Sequence, residues 1–148
     1  MTKVPALFSN FARRVLQCEV GEVGSADEIV LSLEKAFTAL HIALAPLISS
    51  LGFCMLVRRA LNLAARDFTF LGEINIVVAK EDCSLQGLQE ALDGRDRNEA
   101  VDGSVAILAH VFSLLVLFIG ENLGWRKISE ICPEISLREI EDSSEKVE

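Results

Sequence analysis

Val105–Ile119 reads VAILAHVFSLLVLFI, apolar apart from His110 and Ser113 and free of charge when His110 is neutral. Leu108, Phe112, Leu115 and Ile119 recur at helical spacing, and so do Ile107, Val111, Leu114 and Phe118. The two rows together cover most of a helix circumference, as expected for a helix buried in a core or crossing a membrane. Fifteen residues rise about 22 Å, short of the roughly 20 apolar residues that a bilayer core requires. The flanking charges Glu99, Asp102 and Glu121 are acidic and lack the Lys/Arg bias of a topogenic segment. A buried core helix is therefore expected, and a membrane span is disfavoured.

Working outward, the rest of the chain reads as cover for this helix. Leu7, Phe8, Phe11, Val15 and Leu16 fall at helical steps within residues 4–16, and residues 18–24, CEVGEVG, read as a connection. Ser25-Ala-Asp-Glu28 has the form of a capping box. The helix it would open carries Ile29, Leu33, Phe37, Leu40 and Leu44, and Pro46 should kink or end it. A further helix is expected over about residues 53–67, with Phe53, Leu56, Val57, Ala60, Leu61 and Ala64 on one face. Ile74, Ile76, Val77 and Val78 suit an extended segment near 74–78. Its strand partner would be the connection near Val20–Val23 or the same segment of a second chain. Residues 80–84 look turn-like, Leu85, Leu88 and Leu92 suggest a short helix, and DGRDRN at 93–98 is the clearest loop. After Gly120 a last helix carries Leu123, Trp125, Ile128 and Ile131, and Pro133 should end it. The fold expected is mainly α: about five or six helices packed round a central apolar helix at about 100–119. One domain is expected over residues 1–140, followed by a disordered acidic tail over 141–148.

Composition limits the function. A net charge of −8 argues against non-specific nucleic-acid binding and against docking on an anionic membrane surface. The four cysteines, Cys18, Cys54, Cys83 and Cys132, show no metal-ligand spacing. The first ten residues lack a long apolar core, so free thiols and a cytoplasmic location are expected. Cys54 sits in an apolar run and reads as core. No nucleophile elbow or phosphate-binding loop is found, and no metal or cofactor site is expected. His41 and His110 lie in apolar helical runs without H-x-x-x-H or E-x-x-H spacing, and each reads first as a core histidine. Arg58, Asn62 and Arg66 form a row on one helix face with Arg59 beside it. The plain reading is a solvated face; the functional one is a grip on a carboxylate or phosphate. Arg58, Arg59, Arg66 and His110 are thus the candidate ligand-binding set.

Phe118–Ile131, FIGENLGWRKISEI, resembles the second homology motif of the helical apoptosis regulators, with Phe118, Ile119, Gly124 and Trp125 in the matching positions. That family's preceding Asn-Trp-Gly-Arg motif is absent, since Trp125 is the sole tryptophan. The resemblance spans 14 of 148 residues, and no family membership is drawn from it.

A hydrophobic content of 51% is high for one chain to enclose. The leading expectation is accordingly a non-enzymatic interaction or regulatory module acting as a homodimer, with Leu33, Phe37, Leu40, Leu108, Phe112 and Leu115 at the interface. A protein partner is compatible with the same surface. The alternative is a small-molecule binding domain whose helical core keeps a pocket for an acidic or apolar ligand.

Overall fold

A computed structural model of the chain describes residues 6–20, 26–79 and 82–131. The fold is mainly α. Its order is α1 (Ala6–Val20), α2 (Ala26–Leu44), α3 (Ser50–Ala64), a 3-10 turn (Thr69–Glu73), β1 (Asn75–Ala79), β2 (Asp82–Gln86), α4 (Leu88–Leu92), α5 (Arg97–Ile119) and α6 (Glu121–Glu130). Helix α5 is central and packs against α1, α2, α3 and α6.

The amphipathic patterns explain the packing. In α1, Phe8, Phe11, Ala12, Val15 and Leu16 are buried, while Arg13 is exposed. In α2 the buried face is Ile29, Val30, Leu33, Ala36, Phe37, Leu40 and Leu44. Helix α2 ends at Leu44 because Pro46 has no amide to donate and disfavours helical geometry at Ala45. The Leu44 carbonyl then accepts from the amides of Leu47 and Ile48 at 2.8 and 2.9 Å, which turns the chain sharply. Ser49 caps α3, its hydroxyl accepting from the Gly52 amide at 3.0 Å. That cap starts α3 three residues before the expected Phe53. Ala60 and Ala64 of α3 are fully enclosed, and α3 packs against α5.

Three aromatic contacts tie α1 to α5 and α6. Phe8 stacks on Trp125 at 4.9 Å, and Phe11 meets Phe112 and Trp125 edge-on at 5.7 and 5.8 Å. Arg13 reaches Asp102 on α5 at 3.3 Å, between partly exposed side chains. On the other flank, Phe70 and Leu71 of the 3-10 turn are buried, and the Arg95 guanidinium lies over the Phe70 ring at 4.8 Å.

Several sequence expectations change. Cys18, Glu19 and Val20 belong to α1, not to a connection. The capping serine, Ser25, lies outside the described residues, as do Pro133 and the 141–148 tail. The extended segment is real but has a local partner: β1 pairs antiparallel with β2, Ile76 opposite Leu85. The expected turn at 80–84 thus contributes a strand, which its sequence, DCSLQ, hides for want of β-branched residues. Val20 lies in α1 and cannot serve as the strand partner. The central helix is 23 residues long, beginning at Arg97. At mean hydropathy 2.1 over its most apolar 18 residues it is long and apolar enough to cross a membrane, and its length does not separate a core helix from a span. The rest of the chain encloses 61% of that window, which is compatible with a core helix.

Candidate functional site

The expected interface residues are interior. Leu33, Leu40, Leu108, Phe112 and Leu115 are fully buried and Phe37 nearly so. They are covered by the chain's own α1, α2, α3 and α6, so a contact surface has to be built from other side chains. Helical spacing places them on apolar helix faces. What it could not supply was the identity of the neighbour.

Among the described residues, the large apolar side chains that face outward are Leu31, Ile42, Leu47, Leu51, Met55, Leu117 and Phe118. Three of them meet at one place. Leu47 from the α2–α3 turn, Met55 from α3 and Phe118 from the end of α5 line a groove of about 520 Å³, with Ile48, Ser49, Gly52, Leu56 and Arg59 completing its wall. Each element arrives for a local reason. Pro46 stops α2 and sends Leu47 outward, and the Ser49 cap fixes the first turn of α3. Gly120, at φ 95°, ends α5 just past Phe118. Leu51 lies one turn before Met55, and Leu117 adjoins Phe118 in the chain. Phe118 is 68% exposed and Met55 52%, far from the enclosure of core residues on the same helices.

The candidate arginines part company here. All three are exposed; Arg59 is on the groove wall, and Arg58 and Arg66 do not line it. Among the described residues Arg59 has neither an ion pair nor a hydrogen bond. The nearest acids in the chain on either side of it are Glu34 and Asp67, so no carboxylate comes from the α2–α3 turn or from α3. His110 is not part of the groove. It is buried on α5, where desolvation lowers its pKa below the ordinary histidine value and the charge of Asp67 opposes that shift.

A second cleft, of about 540 Å³, lies where α2, α3 and β2 meet. It is lined by Glu34, Phe37, Thr38, His41, Ile42, Phe53, Ser84 and Leu85. His41 stacks on Phe53 at 4.7 Å with the rings 8° from parallel, and its Nε2 is 3.1 Å from the Ser50 hydroxyl. A histidine and a serine at this distance can share a proton. Among the described residues, however, no carboxylate pairs with His41 to orient it as a catalytic base. The contact joins the last turn of α2 to the first residue of α3 across the proline turn. No hydrogen bond or ring contact joins His41 to His110, so the two histidines have separate surroundings.

Among the described residues no group of three or more His, Cys, Asp or Glu is gathered as metal ligands. Cys54 is buried in α3 as a free thiol. In the stretch that resembles the apoptosis-regulator motif, Phe118 lines the groove, whereas Trp125 packs against Phe8 of α1 and is not part of it. Comparison with protein-family models, curated proteins and solved structures gives no match.

Proposed function

We propose that the chain is a non-enzymatic helical interaction module, that it acts as a homodimer, and that its contact face is the apolar end around the Leu47–Met55–Phe118 groove. The supporting observation is the convergence of three exposed large apolar side chains from three separate elements, in a chain of net charge −8. Contiguous apolar patches on otherwise charged proteins mark contact sites. A two-fold arrangement is the commonest form of self-association in soluble proteins. Because Leu33 and Leu115 are interior, aspartate at either would report on folding and not on association. Met55 and Phe118 are the informative positions.

Size-exclusion chromatography with light scattering tests the proposal. The wild-type mass should be about twice 16.2 kDa, and Met55→Asp and Phe118→Asp should each halve it while leaving the helical circular dichroism intact. A wild-type mass near 16.2 kDa that persists at high micromolar concentration would refute it.

A further inference from the structure

We infer that the groove is a seat for a single-chain anionic amphiphile, whose aliphatic chain lies along Leu47, Met55, Leu56 and Phe118 and whose head group pairs with Arg59. The inference rests on the reading of this end as the chain's contact surface, and it adds the chemistry of what enters the groove. A volume of about 520 Å³ lies within the roughly 300–1,000 Å³ of small-molecule sites. Apart from Arg59, the sole heteroatom-bearing side chains of the wall are Ser49 and Met55, and the Ser49 hydroxyl already accepts from the Gly52 amide. The groove therefore presents an apolar trough and one cation.

That cation selects the charge of the head group. Arginine on an apolar wall is well suited to a carboxylate or phosphate, which its planar fork meets with two parallel hydrogen bonds. Arg59 has no such partner among the described residues. A second copy docked symmetrically could cover Leu51, Met55 and Phe118. Its own groove lining holds no acid, so contact between the copies leaves the charge of Arg59 to be met by something else. An anionic head group supplies the missing charge, and its chain fills the trough. Both ends of the ligand are needed: the chain for burial, the anion for orientation.

Isothermal titration calorimetry on the full chain tests this, with dodecanoate and dodecyl phosphate as the probes, held below their micelle-forming concentrations. Saturable binding at one ligand per chain is expected. Arg59→Gln should weaken it about tenfold, the scale of one exposed charge-assisted contact. Met55→Asp, which sets a like charge in the trough, should abolish it. Acetate, with the anion and no chain, and dodecyltrimethylammonium, with the chain and the wrong charge, should not bind saturably. Three results would overturn the inference: no saturable dodecanoate or dodecyl phosphate binding; binding indifferent to both variants; or equal binding of the cationic amphiphile. Attachment to phosphatidylglycerol vesicles without binding of either free probe would overturn it too, in favour of a membrane-docking face. The outcome is separable from that of the dimer. A 16.2 kDa species that binds dodecanoate refutes the dimer alone, and a dimer that ignores both probes refutes the ligand alone.

Discussion

Phe112 and Phe118 stand on the same helix, six positions apart, in runs of similar composition. Phe112 is wholly enclosed, with the edge of Phe11 against it; Phe118 is 68% exposed. The difference lies in what each half of α5 meets. Around the first half the chain supplies α1, α3 and the 3-10 turn. Ala100, Val101, Gly103, Ser104, Val105 and every residue from Ile107 to Phe112 are buried there. Beyond Leu115 that cover runs out on one side. A helix apolar all round needs neighbours all round, and where the fold stops providing them the same chemistry becomes a surface.

The largest expected effect follows from this contrast. Phe112→Ala should destabilise the fold by about 3–5 kcal/mol, because the lost burial is compounded by a cavity that α1 and α6 cannot close. Phe118→Ala should leave the chain's own stability within about 0.5 kcal/mol, as for most exposed positions. Urea denaturation at a protein concentration low enough to favour the single chain measures both. Comparable losses at the two sites would show that Phe118 is covered after all, and the contrast would fail.

A smaller effect tests how tightly the closed flank is built. A Cβ at Gly124 would lie 3.0 Å from the Cα of Val116 and 2.9 Å from its Cγ2. α6 can lie this close to α5 only without a side chain there. At Gly103 the added Cβ would meet the Phe70 ring, 2.9 Å from Cζ. Gly124→Ala should cost about 1–3 kcal/mol, since one of the clashing atoms is backbone. Gly103→Ala should cost less, because a ring edge can swing away more easily than a helix can move. Thermal melts of the two variants give the ranking, and a reversed order would place the tighter contact on the Phe70 flank instead.

These residues also mark how far the sequence could be read. The central helix, the amphipathic faces of α1 and α3 and a break of some kind at Pro46 were legible because each depends on local spacing or backbone chemistry; whether the proline kinks the helix or ends it was not. Strand β2 was not, since DCSLQ has no β-branched residue and forms a strand only because β1 lies beside it. The division of apolar residues into interior and exterior was equally hidden. Leu33 and Leu115 were interface candidates by helical spacing; that spacing left Met55 off the apolar face of α3, but it does not distinguish Leu115 from Phe118, since both lie in apolar rows of α5. Of the candidate site, Arg59 was visible as one of three arginines. Its separation from Arg58 and Arg66 became visible only when the α2–α3 turn and the end of α5 were seen together.

The smallest effect concerns His110, a titratable group within the closed half of α5. Burial lowers its pKa from about 6.5, the ordinary histidine value, and Asp67 only partly offsets the shift. Between the lowered value and about 6.5 the unfolded chain binds a proton at this residue that the folded chain does not. Stability therefore rises with pH across that window and falls as the pH drops through it. Thermal melts between pH 7.5 and 5.5, above the range in which ordinary carboxylates titrate, should show a declining midpoint for the wild type and a flatter line for His110→Gln. Asp67→Asn removes the opposing charge, lowers the folded-state pKa further and should carry the decline to lower pH. Parallel lines for wild type and His110→Gln would mean that His110 takes up its proton as readily in the folded chain as in the unfolded one. The enclosure of α5 at this position would then be looser than its burial implies, and the boundary between the closed and open halves would have to be drawn before residue 110.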